Sequence, residues 1–277
     1  MKKHLLLFFI TTMLAVSGID SGAQPKNNKK VLRKIENHAF NPGEELKYRV
    51  HYGFIDAGEA VLEISKESKV INDREVYHMI GRGRSLGAFD WFFKVRDRYE
   101  TFIDKEAFIP WKFIRDVNEG GYKIDETITF DHYNNLASTE SVRNKKPKQT
   151  GTYESAENVQ DMLSAFYYAR TLDLSKAKPG DIFPIEAFID NEVIPLNIKF
   201  VGREVVKNRK GSFNCLKFKP LLQVGRVFKE KEEMTVWISD DLNRIPIRLE
   251  TAVIVGSIKM DLVDFKNLRH PLNLAKK

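Results

Sequence analysis

Cysteine is nearly absent from this chain, whose 277 residues include only Cys215. A single cysteine excludes an internal disulfide framework and a zinc site built from cysteines. A chain of this length can bury a sufficient core without such staples. Cys215 lies in the strand-like pattern F-N-C-L-K-F, so we predict a small packed hydrophobe rather than a reactive thiol.

Long apolar runs are also missing, apart from a short one near the first residue. Residues 1–23 combine two lysines, an apolar run of about a dozen residues and a small-x-small tripeptide, which is typical of a signal peptide. The run is shorter than the roughly 20 residues of a spanning helix. We expect cleavage after Ala23 and an exported protein, periplasmic or secreted, that is not membrane-spanning. No cysteine follows that could carry a lipid anchor.

Histidines with the spacing of metal ligands are absent too. None of the six forms an H-E-x-x-H motif or has a cysteine cluster beside it, so we expect no metal and no cofactor. His78 shares a predicted strand face with Val76 and Ile80. We interpret it as a core residue with a hydrogen-bond partner rather than as a ligand.

The sequence also lacks the alternation of strands and helices that builds a parallel sheet. Residues 83–87 match G-x-S-x-G, but a nucleophile elbow requires a strand, a turn and a helix in a mainly parallel sheet. The pattern after this match predicts another strand. Residues 175–178 match S-x-x-K in a polar linker without companion motifs. We therefore name no catalytic residue and favour a protein that is not an enzyme.

Positive charge is in modest excess. The net charge is +7, and loss of residues 1–23 removes two lysines and one aspartate and leaves +6. This balance suits contact with anionic lipid or polysaccharide, and it equally suits plain solubility. Export and the scattering of the lysines argue against nucleic acid as a partner. Basic loops at 143–148 and 207–210 are candidate contacts for an envelope protein partner.

Alternating apolar residues dominate what is present. In residues 45–52 the apolar side chains occupy every second position, which predicts a half-buried strand. Similar patterns predict strands over 58–64, 76–84 and a central meander of three antiparallel strands from 91 to 130. In that meander we place Trp91 on a strand that runs to residue 103. Further strands are predicted at 182–190, 193–206, 212–222, 226–239, 244–255 and 257–265, with Gly256 at a bend or bulge.

The meander predicts one ionic row across otherwise apolar faces. A two-residue turn at 120–121 places Arg115 opposite Glu126, because glycine accepts the left-handed torsions of such a turn. If the preceding hairpin folds about Glu106, Asp97 lies opposite Arg115 from the other side. An arginine between two carboxylates is tolerated in a core because its planar group is fully hydrogen-bonded. The row either fixes strand register or forms the polar end of a ligand cavity.

One segment changes period. Apolar positions between Ser155 and Leu172 recur at three and four residues, which predicts a single amphipathic helix over 157–172. We expect Asn158 or Ser155 to cap it. A lone helix among antiparallel strands covers a face or open end of the sheet. The fold prediction is all-β: a strongly curved antiparallel sheet or half-barrel with one covering α-helix.

The predicted organisation is a signal peptide at 1–23, a flexible lead-in at 24–37, one β-rich domain at 38–266 and a tail at 267–277. Two meanders flank the helix within the domain. The turn P-G-E at 42–44 recurs as P-G-D at 179–181, and the segment 104–110 resembles 240–246 at a nearly equal offset. These matches indicate either an internal duplication or ordinary turn chemistry.

Aromatic residues are concentrated in the meander. They line either a cavity for a hydrophobic ligand or a plainly packed core, and an open cavity favours the first interpretation while a filled core counts against it. The candidate ligand-binding residues are Asp97, Arg115, Glu126, Trp91, Phe93, Tyr99, Trp111 and Phe113.

Several short patterns together resemble a bacterial exported family of unknown function, domain of unknown function 3108. They are F-x-P-G-E-x-L-x-Y at 40–48, A-G at 57–58, R-D at 96–97, S-A-F-Y-Y at 164–168, G-R-E at 202–204 and W-I-S-D-D at 237–241, with Arg244 and Pro246. The resemblance spans roughly residues 38–265. It implies an antiparallel β-rich envelope protein and supplies no catalytic residues.

The sequence favours a non-enzymatic exported protein that binds or escorts an apolar or amphiphilic envelope component, such as a lipid or an acyl chain. One alternative is a glycan hydrolase that uses Asp97 and Glu126 as paired carboxylates. Another is a structural partner in an outer-membrane assembly.

Overall fold

A computed structural model describes residues 30–221, 234–252 and 256–275. The elements of the first half are β1 (Glu45–Tyr52), β2 (Ile55–Ile64), β3 (Lys69–Ile71), β4 (Arg74–Ser85), α1 (Gly87–Phe92), β5 (Arg96–Asp104), β6 (Pro110–Glu119), β7 (Tyr122–Asp131), β8 (Leu136–Arg143), β9 (Gln149–Glu154) and α2 (Met162–Ala169). Those of the second half are β10 (Ile182–Phe183), β11 (Glu186–Ile189), β12 (Glu192–Pro195), β13 (Asn197–Asn208), β14 (Gly211–Leu221), β15 (Met234–Ser239), β16 (Pro246–Ala252) and β17 (Ser257–Lys266).

Nearly all strands belong to one antiparallel sheet. Its order is β10-β13-β14-β15-β16-β17-β1-β2-β4-β5-β6-β7-β8-β9, with β3 beside β4. The pairing of β1 with β17 joins the two halves, and the hairpin β11–β12 forms a separate small sheet. The sheet is curved without closing, so the all-β prediction is confirmed.

The strands form where apolar and polar residues alternate. In β1, Leu46, Tyr48 and Val50 are buried while Lys47 and Arg49 are partly exposed. Successive side chains of a strand point to opposite faces. One face of the sheet therefore gathers the apolar side chains, as the sequence pattern predicts.

The hairpin β6–β7 has the predicted register. Gly120 and Gly121 both have positive φ, and Arg115 lies opposite Glu126. The preceding hairpin differs from its prediction, because Tyr99 lies opposite Arg115 and Asp97 lies two residues before Tyr99 in β5.

The loop between β5 and β6 causes that shift. Asp104 accepts hydrogen bonds from the backbone of Glu106 (2.9 Å) and Ala107 (2.8 Å), and Phe108 has a φ of 52°. The loop is therefore wider than a turn centred on Glu106. A bulge opposite the step from Phe102 to Ile103 completes the displacement.

The prediction that Trp91 begins a strand is wrong. Residues Gly87–Phe92 form the short helix α1, and β5 begins at Arg96. The Asp90 carboxylate accepts hydrogen bonds from the Ser85 hydroxyl (2.6 Å) and from Arg96 (2.6 Å). These hydrogen bonds stabilise a helical turn at 87–92. The alternation of aromatic residues there indicated a strand because it carries no sign of the Asp90 contacts.

Helix α2 lies against the apolar face, as expected of a covering helix. It is shorter than the helix predicted over 157–172. It begins after Asp161, whose carboxylate accepts hydrogen bonds from the backbone of Leu163 (2.8 Å) and Ser164 (2.7 Å). The predicted cap Asn158 has a φ of 57°, so it cannot belong to the first turn. The Leu163 side chain approaches Gly81 of β4.

The second half contains a comparable change of register. A hairpin loop at 240–243 predicts Ile247 opposite Val236 and Ile245 opposite Ile238. In the structure Val236 pairs with Leu249 and Ile238 with Pro246. Ile238, on the turn side of a bulge between Trp237 and Ile238, is already displaced by one residue, and the bulge adds the second residue of displacement at Val236. The predicted strand segments at 222, 226–233 and 253–255 lie outside the described residues.

The two halves share turn geometry. The amide of Gly43 donates to Ile64 O (2.8 Å), and that of Gly180 donates to Phe200 O (2.9 Å). Both glycines have positive φ. The β5–β6 and β15–β16 connections also correspond, since Phe108 and Arg244 both adopt left-handed torsions just before an Ile-Pro pair. The repeated sequence patterns therefore occupy equivalent turns.

The segments outside the strands pack on the sheet. In the region predicted as a lead-in, Arg33 donates to Ala107 O (2.8 Å) and Phe108 O (2.9 Å). In the region predicted as a tail, Asn243 exchanges hydrogen bonds with the backbone of His270. No helix within the described residues is long and apolar enough to cross a membrane.

Candidate functional site

The inner face of the first half is filled by α2 and the hairpin β11–β12. Phe188 of β11 packs edge-on against Phe130, with ring centroids 6.0 Å apart, and its ring is tilted against that of Tyr153 at 6.3 Å. The backbone of Gln160, just before α2, exchanges hydrogen bonds with Glu186 and Phe188. The two elements therefore form one unit, and we call residues 160–169 with 186–195 the plug.

A buried ionic network fixes the turn of the plug to the sheet. Arg115 binds Glu126 (Nε to Oε2, 2.7 Å) and Asp190 (Nη2 to Oδ1, 2.6 Å). Arg143 reaches the same Asp190 oxygen at 3.2 Å and Glu126 at 3.5 Å. The side chains of Arg115 and Glu126 are only 1% and 2% exposed. The predicted row is thus half present, with Asp190 in place of Asp97 as the second carboxylate.

The two carboxylates keep Arg115 charged. Burial lowers its pKa, but the nearby charges of Glu126 and Asp190 outweigh that effect and leave the pKa raised. Asp190 occupies the two-residue turn of the hairpin with Asn191, and both have positive φ. The network therefore ties a tight turn, at the rim of the inner face, to three strands of the sheet.

Asp97 belongs to a second polar pair. Its carboxylate accepts a hydrogen bond from the Asn118 amide (3.0 Å) and shares another with the Glu119 carboxyl. A hydrogen bond between two carboxyl groups requires one proton between them. Burial and the charge of Asp97 raise the pKa of Glu119 to about 8, and burial also raises the pKa of Asp97.

We expect the free energy of unfolding of Glu119→Gln to depend less on pH than that of the wild type, because the variant lacks the titration of Glu119. The folded-state pKa of Glu119 is raised from its ordinary 4.5 to about 8, so its contribution is complete below about pH 4.5 and disappears as the pH rises through 8. Glutamine donates to Asp97 at every pH. Denaturation between about pH 5 and pH 9 should show a growing advantage of the variant over the wild type.

A matched variant controls for loss of surface charge. Glu67→Gln removes a carboxylate at an exposed turn, and its stability should run parallel to that of the wild type. If Glu119→Gln also runs parallel, the two carboxyls do not share a proton.

Tyr99 and Phe113 contribute the wall between the two polar groups. Their rings lie 6.3 Å apart, and both belong to the cluster that packs on the plug. The Tyr99 hydroxyl is buried without a hydrogen-bond partner among the described residues. Burial raises its pKa, with a smaller contribution from Asp97, so the hydroxyl remains a neutral donor.

The other aromatic candidates lie elsewhere. Trp91 is 84% exposed on α1, and Phe93 follows that helix and covers Gly120. Trp111 lies at the bulge and packs with Val76 and Phe102 in a different cluster from Phe113. These three residues do not line the inner face with Tyr99, because the helix and the bulge redirect them.

The remaining motifs have structural partners. Ser85 of the G-x-S-x-G match is followed by a helix, contrary to the prediction of a strand, but its hydroxyl donates to Asp90 and accepts from the Val95 amide. His78 binds Glu100 (2.5 Å) and stacks on Phe102. Cys215 is buried, which raises its thiol pKa to about 12. Among the described residues no three acidic, histidine or cysteine side chains group as metal ligands.

Sequence reasoning missed Asp190, Arg143 and Glu119 as members of the site. The dipeptide Asp190-Asn191 is a recognisable hairpin turn signal, but nothing in it indicates where the turn docks. Glu119 lies beside the glycine turn, and no local pattern indicates that it meets Asp97.

Fold and site together define an open, β-barrel-like protein whose interior is occupied by a plug. The family model described as "Protein of unknown function (DUF3108)" matches residues 47–263, and the chain belongs to this family. A comparison with curated proteins finds no match.

Solved structures are similar to this chain at low identity, and the first of them shares its fold. A β-barrel-like protein of DUF1849 from Brucella abortus is similar with a TM-score of 0.51 and 10% identity, over 86% of this chain and 99% of that one. A candidate exported protein with a YmcC-like fold from Bacteroides fragilis gives a TM-score of 0.30 at 9% identity, over 84% and 99% of the two chains.

Proposed function

We propose that this is an exported protein that binds an apolar or amphiphilic envelope component, such as a lipid or an acyl chain, on the inner face of its sheet. The inner face is filled, which counts against a preformed ligand cavity. The observation that carries the proposal is that the filling comes from the plug, which is separate from the sheet. The apolar face is covered by a helix and a separate hairpin rather than by closure of the sheet, so a ligand gains access when these elements move away.

The chemistry of the face fits an amphiphile. The wall behind the hairpin is aromatic and aliphatic, with Phe113, Ile128 and Phe130 buried in one cluster. Its rim carries Arg115, Arg143 and the Tyr99 hydroxyl. Pockets of this composition bury an apolar body and orient one polar group.

The hairpin is the element best suited to move. Its turn is held to the sheet by charged contacts to Asp190, whose side chain is 28% exposed and therefore accessible to water and to a competing charged group. Within the described residues the hairpin's strands pair with each other and bridge to Gln160 of the plug, but they join no strand of the large sheet. Opening would exchange the contacts of Phe188 for contacts with a ligand of similar polarity.

The arrangement of Asp97 and Glu126 does not support the glycan hydrolase alternative, which requires these two carboxylates to act as a pair. Glu126 is bound by Arg115, and Asp97 pairs with Glu119 rather than with the ionic row. A paired-carboxylate mechanism needs both groups to flank one substrate bond.

Copurified ligand is the direct test. Protein isolated from the envelope of its own host is expected to show, in native mass spectrometry, a bound mass that organic extraction identifies as lipid or acyl chain. Isolation as bare protein, together with no binding of fatty-acid probes, would contradict the proposal and leave a packed structural core.

We expect Asp190→Asn to increase access to the inner face. Asparagine keeps the left-handed turn but removes the charge that binds Arg115 and Arg143. Binding of a fluorescent fatty-acid probe should rise several-fold relative to the wild type. Glu186→Gln changes an exposed carboxylate on the same hairpin and should leave probe binding unchanged. Equal binding by all three proteins would show that the turn is not a latch.

A further inference from the structure

One end of the sheet gathers neighbouring connections. In an antiparallel meander, alternate connections emerge at the same end, here β1–β2, β4–β5, β6–β7 and β8–β9. We call this end the tip end. Hydrogen bonds join each of three connections to the neighbouring connection or strand end. They run from Leu86 N to Ala57 O of β2 (2.9 Å), from Gly120 N to Lys94 O (2.9 Å) and from Asn144 N to Lys123 O of β7 (3.0 Å).

The first two connections expose large apolar side chains. Phe54 is fully exposed, Trp91 and Phe92 are 84% and 76% exposed, and Ile55 is more than half exposed. The Trp91 and Phe92 rings lie 5.0 Å apart, and α1 has no buried residue. Helix α1 contacts β2, which begins beside Phe54. Exposed aromatic groups of this kind mark interaction surfaces.

The same end is basic. Lys94, Lys145 and Lys146 are exposed on the connections, and Lys123 is exposed at the start of β7 beside the β6–β7 turn. The acidic side chain of α1, Asp90, is neutralised by its ion pair with Arg96. A shallow depression of about 430 Å³ lies between the last two connections and is lined by Lys123 and Lys145. Aromatic side chains beside exposed lysines match the boundary between acyl chains and anionic headgroups.

We propose that the tip end docks on a lipid bilayer that carries anionic headgroups. Trp91, Phe92 and Phe54 enter the interface, and the lysines of the neighbouring connections contact the phosphates. The charge complementarity of the lysines selects this partner over an uncharged apolar surface. The proposal goes beyond ligand binding on the inner face and stands if that binding fails, because no plug residue contributes to it.

Trp91 supplies an internal reporter. The chain has three tryptophans, and Trp111 and Trp237 are buried at 1% and 8% exposure. Addition of vesicles of phosphatidylethanolamine and phosphatidylglycerol to the mature protein should shift the emission of Trp91 to shorter wavelength. Vesicles of phosphatidylcholine alone should give little shift, and high salt should reduce binding to the anionic vesicles.

Two variants separate the apolar and the ionic contributions. Trp91→Ser with Phe92→Ser, and Lys145→Glu with Lys146→Glu, should each lower co-sedimentation with anionic vesicles by about tenfold or more. Both pairs lie on exposed connections, so thermal unfolding should be unchanged.

Matched changes away from the tip end serve as controls. Leu242→Ser removes an exposed apolar side chain of the β15–β16 connection. Lys176→Glu with Lys178→Glu repeats the charge change on the linker after α2. These proteins should bind vesicles like the wild type.

Three results would overturn the proposal. The first is an unchanged Trp91 emission with anionic vesicles, and the second is equal loss of binding in the control variants. The third is a concentration-dependent dimer in sedimentation velocity that Trp91→Ser with Phe92→Ser abolishes while vesicles remain unbound. That outcome would assign the surface to a second copy of the chain.

Discussion

Arg115→Leu is expected to lower the free energy of unfolding by about 3–5 kcal/mol. The substitution leaves the Glu126 carboxylate, 2% exposed, without its closest cation, and Arg143 at 3.5 Å replaces only part of that interaction. Removal of one member of a buried ion pair costs more than the pair contributes, because the remaining charge stays desolvated. Chemical denaturation followed by circular dichroism measures the loss.

Two controls define this result. Arg98→Leu removes an arginine of the adjacent strand whose side chain is 42% exposed, and it should cost about 1 kcal/mol or less. Asp97→Asn should cost less than Arg115→Leu, since Asp97 stands outside the network. Near-wild-type stability of Arg115→Leu would mean that water reaches Glu126 or that Arg143 takes over.

Arg170→Leu is expected to have an effect of similar size, about 3–5 kcal/mol, in another part of the molecule. Arg170 ends α2 and binds Glu44 through two nitrogens at 2.6 and 2.8 Å, and both side chains are almost fully buried. Its Nε also donates to Asn243 O (3.0 Å). The single side chain therefore connects the helix, the start of β1 and the β15–β16 connection.

A double-mutant cycle tests whether the pair acts as a unit. Because two buried charges removed together leave no desolvated ion, Arg170→Leu with Glu44→Leu should lose less stability than the two single variants added. Arg82→Leu breaks a partly exposed pair with Glu63 and should be nearly silent. Strict additivity would indicate that Arg170 acts through packing on Phe40 and Tyr167 alone.

The regular strands were predictable because their side chains carry the information locally. Leu46, Tyr48 and Val50 are buried at every second position, as the alternation requires. The Gly120-Gly121 turn likewise set the pairing of Arg115 with Glu126. In both cases the deciding contacts lie within a few residues or across one tight turn.

Predictions failed where a contact between distant residues or an irregular loop determines the strand register or the secondary structure. Asp97 does not lie opposite Arg115, because hydrogen bonds to Asp104 stabilise a wide β5–β6 loop and a bulge after the loop shifts the register further. Trp91 lies in a helix rather than in the predicted strand, because Asp90 binds Ser85 and Arg96 and stabilises the helical turn. Neither arrangement has a periodic signal, so alternation alone indicated a continuous strand and a tight hairpin.

By itself the sequence determined the all-β class, the positions of most strands, the helix between the two halves and the pairing of Arg115 with Glu126. These follow from periodicity and from glycine turns, which are local. Only the tertiary structure decided that Asp190 completes the network, that Asp97 pairs with Glu119 and that a plug fills the inner face. The reason is that each of these contacts joins segments far apart in the chain, and their meeting depends on the curvature of the whole sheet.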